Sequence, residues 1–143
     1  MKWFTHIGFS ILIFLIIKNL FEIIDKKIIV LCLLFSIIGG IFPDIDIHFK
    51  IFSKHRGILH SIIGLVLISI LPFIIFRILK LNIVFLCFFT SYFFHLFLDA
   101  FNPTGIKWLP FLKTSRGKIK TGSFTEKIVA IIIWVLILLF IFI

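Results

Sequence analysis

The chain has 143 residues, 62% of them hydrophobic and 17% aromatic, with a mean hydropathy of +1.28; soluble domains are only roughly 45–50% apolar. A soluble core of this length has no room for so much apolar surface, and the apolar residues run in long uncharged stretches, so the bilayer is the expected solvent. Fifteen basic residues against six acidic give a net charge of +9; the basic ones lie between the apolar runs, which points to phospholipid headgroups and away from nucleic acid.

Five apolar segments follow in order, each near the roughly 17–25 residues a helix needs to cross hydrocarbon. The first, 3–24, resembles a signal peptide, yet no small-residue cleavage site follows and His6 interrupts it, so a retained span is expected. Asp25-Lys26-Lys27 separates it from the second, 28–43, which Gly39-Gly40 and Pro43 should end. The third, 58–79, carries Pro72 and should kink there. The fourth, 81–101, closes on Asn102-Pro103-Thr104-Gly105. A basic interfacial loop, 102–127, is too short for a separate domain and leads to the last segment, 128–143.

Backbone polar groups in lipid must be satisfied within their own segment, so these segments read as helices. The expectation is an all-α fold: one polytopic membrane helical bundle over residues 1–143, with about five transmembrane helices. The second and fifth segments are short, and four crossings are the alternative. In the five-helix arrangement about ten Lys and Arg fall on one side and about five on the other. The positive-inside rule then places the N-terminus, the 43–57 loop and the 102–127 loop in the cytoplasm. Cys32 and Cys87 sit within apolar runs and read as small apolar fillers.

Against this background the ionisable residues stand out. His6 lies near the start of the first helix, Pro43-Asp44-Ile45-Asp46 at the end of the second, His55-Arg56-Gly57-Ile58-Leu59-His60 at the start of the third, and His95 with Asp99 near the end of the fourth. Alternating helix direction brings all four places to one membrane face. Such groups are expensive at the bilayer boundary and by default mark a site that pairs them with each other or with an ion.

The spacings suit ligation. His95 and Asp99 are four apart and share one helical face. Asp44 and Asp46 can turn to one ion from an irregular helix end, and His55 with His60 can do so if His55 lies in the loop and His60 one turn inside the helix. Imidazole and carboxylate without thiolate fit zinc, manganese or iron, and up to seven ligands would serve one or two ions.

Each piece also has a plainer reading. His6 can be an interfacial histidine, the Asp-x-Asp pair a helix cap or solvated turn, the His55–His60 stretch part of a basic surface loop, and His95 with Asp99 a pair that holds helices together. Arg56 has a planar fork suited to phosphate or carboxylate, and serves equally as a salt-bridge partner for Asp44 or Asp46. Asn102 would bond a substrate or cap the helix, and His48 has no matching partner position.

Thr5-His6, Gly39-Gly40-x2-Pro43-Asp44-x-Asp46, His55-Arg56-Gly57-x2-His60-Ser61 and His95-x3-Asp99-x2-Asn102-x2-Gly105 together resemble the YdjM-like family of inner-membrane metal-dependent hydrolases over about the first 110 residues. The resemblance implies a multi-helix membrane protein with a metal-dependent hydrolase site. It carries His6, Asp44, Asp46, His55, His60, His95 and Asp99 over as the ligand or catalytic set. Through the His-x3-Asp element the chain is also distantly similar to zinc-dependent phospholipase C enzymes.

The expected function is therefore a metal-dependent hydrolase, a phosphoesterase acting on a lipid or lipid-linked phosphate at the cytoplasmic face of the cell membrane, with zinc as the leading metal. Water activated by one or two ions would attack, Asp44 or Asp46 would act as general base, and Arg56 would steady developing negative charge. A metal-binding transporter or sensor and a structural or regulatory membrane protein are the alternatives.

Overall fold

The computed structural model describes residues 1–45, 58–109 and 112–142. Its helices, in chain order, are α1 (Trp3–Leu20), α2 (Lys26–Ile41), α3 (Ile62–Ile78), α4 (Asn82–Ala100) and α5 (Phe124–Phe142). A 3-10 turn, Phe42–Asp44, extends α2, and another, Ile58–His60, precedes α3. The all-α expectation holds. Among the described residues four helical stretches are long and apolar enough to cross a membrane, namely Trp3–Leu20, Lys26–Asp44, Asn82–Ala100 and Phe124–Phe142.

The short element is not where the sequence placed it. The second and fifth segments gain length, α2 by running on through its 3-10 turn and α5 by starting at Phe124, whereas α3 has 17 residues. Ser61 is the reason α3 starts late: its Oγ accepts from the Gly64 amide at 3.2 Å and caps the helix.

Two tight connections join α1 to α2 and α3 to α4 at the same end of the bundle. In the first, the Ile23 amide donates to the Lys18 carbonyl and the Glu22 amide to Asn19; in the second, Leu81 donates to Phe76 and Lys80 to Arg77. Both are Schellman-type ends, and both place a non-glycine residue at positive φ, Glu22 at 48° and Lys80 at 58°. A Cβ in that region costs about 1–2 kcal/mol. Lys80→Gly is therefore expected to raise the thermal stability of the detergent-solubilised protein by about 1 kcal/mol, and an unchanged or lowered melting temperature would contradict this description of the turn.

Packing centres on α2 and α4, which make the most extensive helix pair; α1 lies against both, α5 against α1, and α3 against α4. Gly39 and Gly40 do not end α2. They lie inside it, and a Cβ at Gly39 would come within 2.3 Å of the Phe88 carbonyl oxygen of α4, while one at Gly40 would come within 1.8 Å of Ser10 Oγ of α1. Glycine here lets backbones approach, as at many membrane helix crossings. Beside it Ser36 Oγ donates to the Ser10 carbonyl at 2.6 Å and lies 2.6 Å from Ser91 Oγ, tying α1, α2 and α4 together.

Pro72 is inside a continuous α3, with no break in the helix assignment. Cys32 and Cys87 are free and buried in the apolar core, as expected. Large apolar side chains such as Leu67, Leu71, Phe73, Ile131, Val135 and Leu139 are exposed on the outer faces of α3 and α5, which is what a lipid-facing surface requires.

Candidate metal centre

At the end of the bundle opposite the tight turns, four elements bring ionisable side chains together: the start of α1, the turn after α2, the turn before α3 and the last turns of α4. Asp44, His60, His95 and Asp99 are all buried, and each offers a ligand atom within 4.8 Å of the others. Asp44 Oδ1 lies 3.3 Å from His60 Nε2 and 3.6 Å from His95 Nε2; Asp99 Oδ2 lies 3.8 Å and 4.0 Å from the same two nitrogens. A tetrahedron with metal–ligand bonds of about 2.1 Å has edges of roughly 3.4 Å, so only small shifts would close the four onto one ion.

The local structure explains the placement. Pro43 lies in the first positions of the Phe42–Asp44 3-10 turn, which carries Asp44 to a buried place. His60 sits in the turn before α3, one residue ahead of the capping Ser61 and not a turn inside the helix; the Tyr92 hydroxyl donates to the Leu59 carbonyl at 2.9 Å and fixes that turn to α4. His95 and Asp99 share the inner face of α4 at the predicted spacing. His95 Nδ1 is 2.7 Å from the Gly40 carbonyl, which can only accept, so Nδ1 carries the proton and donates. Its Nε2 faces the carboxylates, an orientation typical of metal-binding histidines.

Asp99 works in two directions. Oδ2 faces the quartet, while Oδ1 accepts from Asn102 Nδ2 at 2.8 Å and from the Met1 ammonium at 2.7 Å and lies 3.4 Å from His6 Nε2. His6 thus stands beside the quartet and not within it, its ring stacked on that of His95 with centroids 3.9 Å apart. Asn102, left open between substrate binding and capping, holds Asp99. The Asn102 carbonyl in turn accepts from the amides of Gly105 and Gly117, which pins the start of the 102–127 connection.

Two observations show that a cation suits this place. Asp44 and Asp99 bring two carboxylates into one buried place, and the one ammonium against them among the described residues, that of Met1, lies on the side of Asp99 away from the quartet. Moreover His95 Nε2, which faces the quartet, is buried without a hydrogen-bond partner, which calls for an explanation that an ion supplies. The donor set, imidazole and carboxylate without thiolate, fits zinc, manganese or iron. Asp46, His55 and Arg56, and His48 with them, lie outside the described residues.

Sequence reasoning missed Glu126, which it left in a basic lipid-facing loop. It lies in the first turn of α5, is buried, and accepts from the Lys2 amide at 2.5 Å, from the Gly122 amide and from Thr5 Oγ1 at 3.4 Å. The Glu126 amide donates to Ser123 Oγ at 3.3 Å, so Ser123 caps α5, and the Glu126 side chain reaches back to the Gly122 amide and across to α1. Glu126→Ala leaves buried donors unpaired and is expected to cost about 1–3 kcal/mol, with faster amide exchange at Lys2 through His6. Unaltered exchange there would contradict a clasp role.

Spanning helices and a buried His/Asp group at one end of the bundle define a multi-pass membrane protein with a site able to hold a metal ion. The chain belongs to the YdjM inner membrane protein family, which matches residues 1–143, further than the motifs noted in the sequence. No curated protein and no solved structure matches it.

Proposed function

We propose that the protein is a metal-dependent hydrolase that cleaves a phosphoester of a lipid or lipid-linked substrate at the cytoplasmic face of the inner membrane. The observation that carries this reading is the buried quartet of Asp44, His60, His95 and Asp99 with His95 Nε2 left without a partner. These four residues would hold the ion, with zinc the leading choice. A divalent ion bound there supplies Lewis acidity and activates water. Gly40 and Asn102 orient His95 and Asp99 through the hydrogen bonds described above. The apolar packing of Leu65, Phe88, Tyr92 and Leu96 below the centre keeps it dry on the membrane side. Asp44 sits among the ligand candidates, which favours a ligand role for it over the general-base role and leaves that role to Asp46 together with the anion-steadying role of Arg56.

One observation favours a structural reading. His60 lies 3.3 Å from Asp44 and ties the turn after α2 to the turn before α3 without any ion. The discriminating experiment follows hydrolysis of a phosphomonoester and of a phospholipid by detergent-purified protein, with His60→Ala and Asp99→Ala alongside. Metal-dependent turnover in the wild type that both variants lose is the expected result. Wild-type protein that binds metal yet turns over neither substrate would sink the phosphoesterase reading, and variants that lose only stability would favour the structural one.

A further inference from the structure

A second feature lies outside the metal centre. Between the N-terminal half of α1 and one face of α5 runs a groove of about 680 Å³, lined along α5 by Glu126, Ala130, Ile131, Trp134 and Leu138 and along α1 by Phe4. That volume falls within the range of roughly 300–1,000 Å³ usual for small-molecule sites. Small residues open it: Ala130 leaves space midway, and Gly8 allows the Trp134 indole to approach α1 closely, where a Cβ would come within 3.1 Å of Nε1. Phe4 stacks on the same indole at 4.8 Å.

From Glu126 to Leu138 the groove follows α5 for about 18 Å at 1.5 Å per residue. One leaflet of a roughly 30 Å hydrocarbon core is about 15 Å deep. The groove therefore has the length of one leaflet's acyl chains and starts at the same end of the bundle as the His/Asp centre. Its mouth is basic: Lys2 and Lys127 line it, both exposed, and neither ammonium has an ion pair among the described residues. The one acidic group there, Glu126, has its oxygens occupied by the Lys2 and Gly122 amides and Thr5. Lys118 and Lys120 add exposed positive charge in the connection just before α5.

We propose that this groove seats an acyl chain of an anionic phospholipid whose headgroup phosphate is held by Lys2 and Lys127. A second copy of the chain fits less well, because each copy carries a net charge of +9 and would bring like charge to a basic mouth. The inference rests on the groove and stands apart from the chemistry of the His/Asp centre.

The test uses Trp134 as reporter. With Trp3→Phe and Trp108→Phe it is the sole tryptophan, and the protein is reconstituted in phosphatidylcholine vesicles that hold a minor fraction of brominated lipid. Two lysines at about fivefold each predict up to roughly thirtyfold preference for the anionic lipid. Brominated phosphatidylglycerol should thus quench Trp134 at much lower mole fraction than brominated phosphatidylcholine, and Lys2→Gln with Lys127→Gln should abolish the difference. Equal quenching by the two lipids, or a difference that survives both Gln substitutions, overturns the proposal. Should the Trp variants not fold, native mass spectrometry of the wild-type chain decides the matter: retained phosphatidylglycerol in preference to phosphatidylcholine supports the seat, and a lipid-free dimer contradicts it.

Discussion

Asp99→Ala is expected to be the most damaging single substitution at the centre, because it breaks two arrangements at once. It removes the carboxylate that faces His60 and His95, and it strands the Met1 ammonium and the Asn102 amide, both buried against Oδ1. Breaking a buried ion pair by removing one partner costs about 3–5 kcal/mol, so a drop of many degrees in melting temperature should accompany loss of metal. Asp44→Asn provides the contrast. Its shape is retained and no ammonium among the described residues contacts it, so metal binding should fall by more than the roughly 10–100-fold typical of outer-shell changes, while the metal-free protein melts close to the metal-free wild type. Equal destabilisation by the two variants would contradict the two-sided role given to Asp99.

Gly39→Ala should be nearly as severe for a different reason. The new methyl group would meet the Phe88 backbone oxygen at 2.3 Å, and backbone cannot swing aside as a side-chain tip can. The pair α2 and α4 must separate, at an overpacking cost of about 1–3 kcal/mol. Because the neighbouring Gly40 carbonyl orients His95, metal affinity should fall with stability. Gly8→Ala, which meets only the Trp134 ring at 3.1 Å, should cost much less. Thermal unfolding with and without a chelator separates these effects, and a Gly39→Ala protein that matches the wild type in both would show that α2 and α4 do not cross so closely.

Much of the centre was legible before any coordinates. Alternating helix direction alone predicted that His6, Asp44, Asp46, His55, His60, His95 and Asp99 would share one end of the bundle, since charged groups in apolar segments leave few other places to go; His6, Asp44, His60, His95 and Asp99 do so, and Asp46 and His55 lie outside the described residues. The pairing of His95 with Asp99 followed from helical spacing. What could not be read was set by partners distant in sequence. Glycine next to glycine signals a helix end or a close crossing equally well, and only Phe88 and Ser10 across the interface decide for the crossing. Glu126 looked like one acid in a basic loop, because its acceptor role depends on the Lys2 amide 124 positions away. The capping-box spacing from Ser123 was the available signal and would also have moved the start of the last helix to its observed place. His60 was placed a turn too deep because Ser61, not a residue before it, caps α3.

Asp44, His60, His95 and Asp99 lie close enough together to form one ion-binding centre. Elemental analysis of detergent-purified protein tests it most directly, comparing wild type with His60→Ala and Asp44→Asn. Close to one zinc, manganese or iron ion per wild-type chain is expected, and almost none in either variant. A wild-type chain that stays metal-free after loading, or variants that keep their ion, would contradict it.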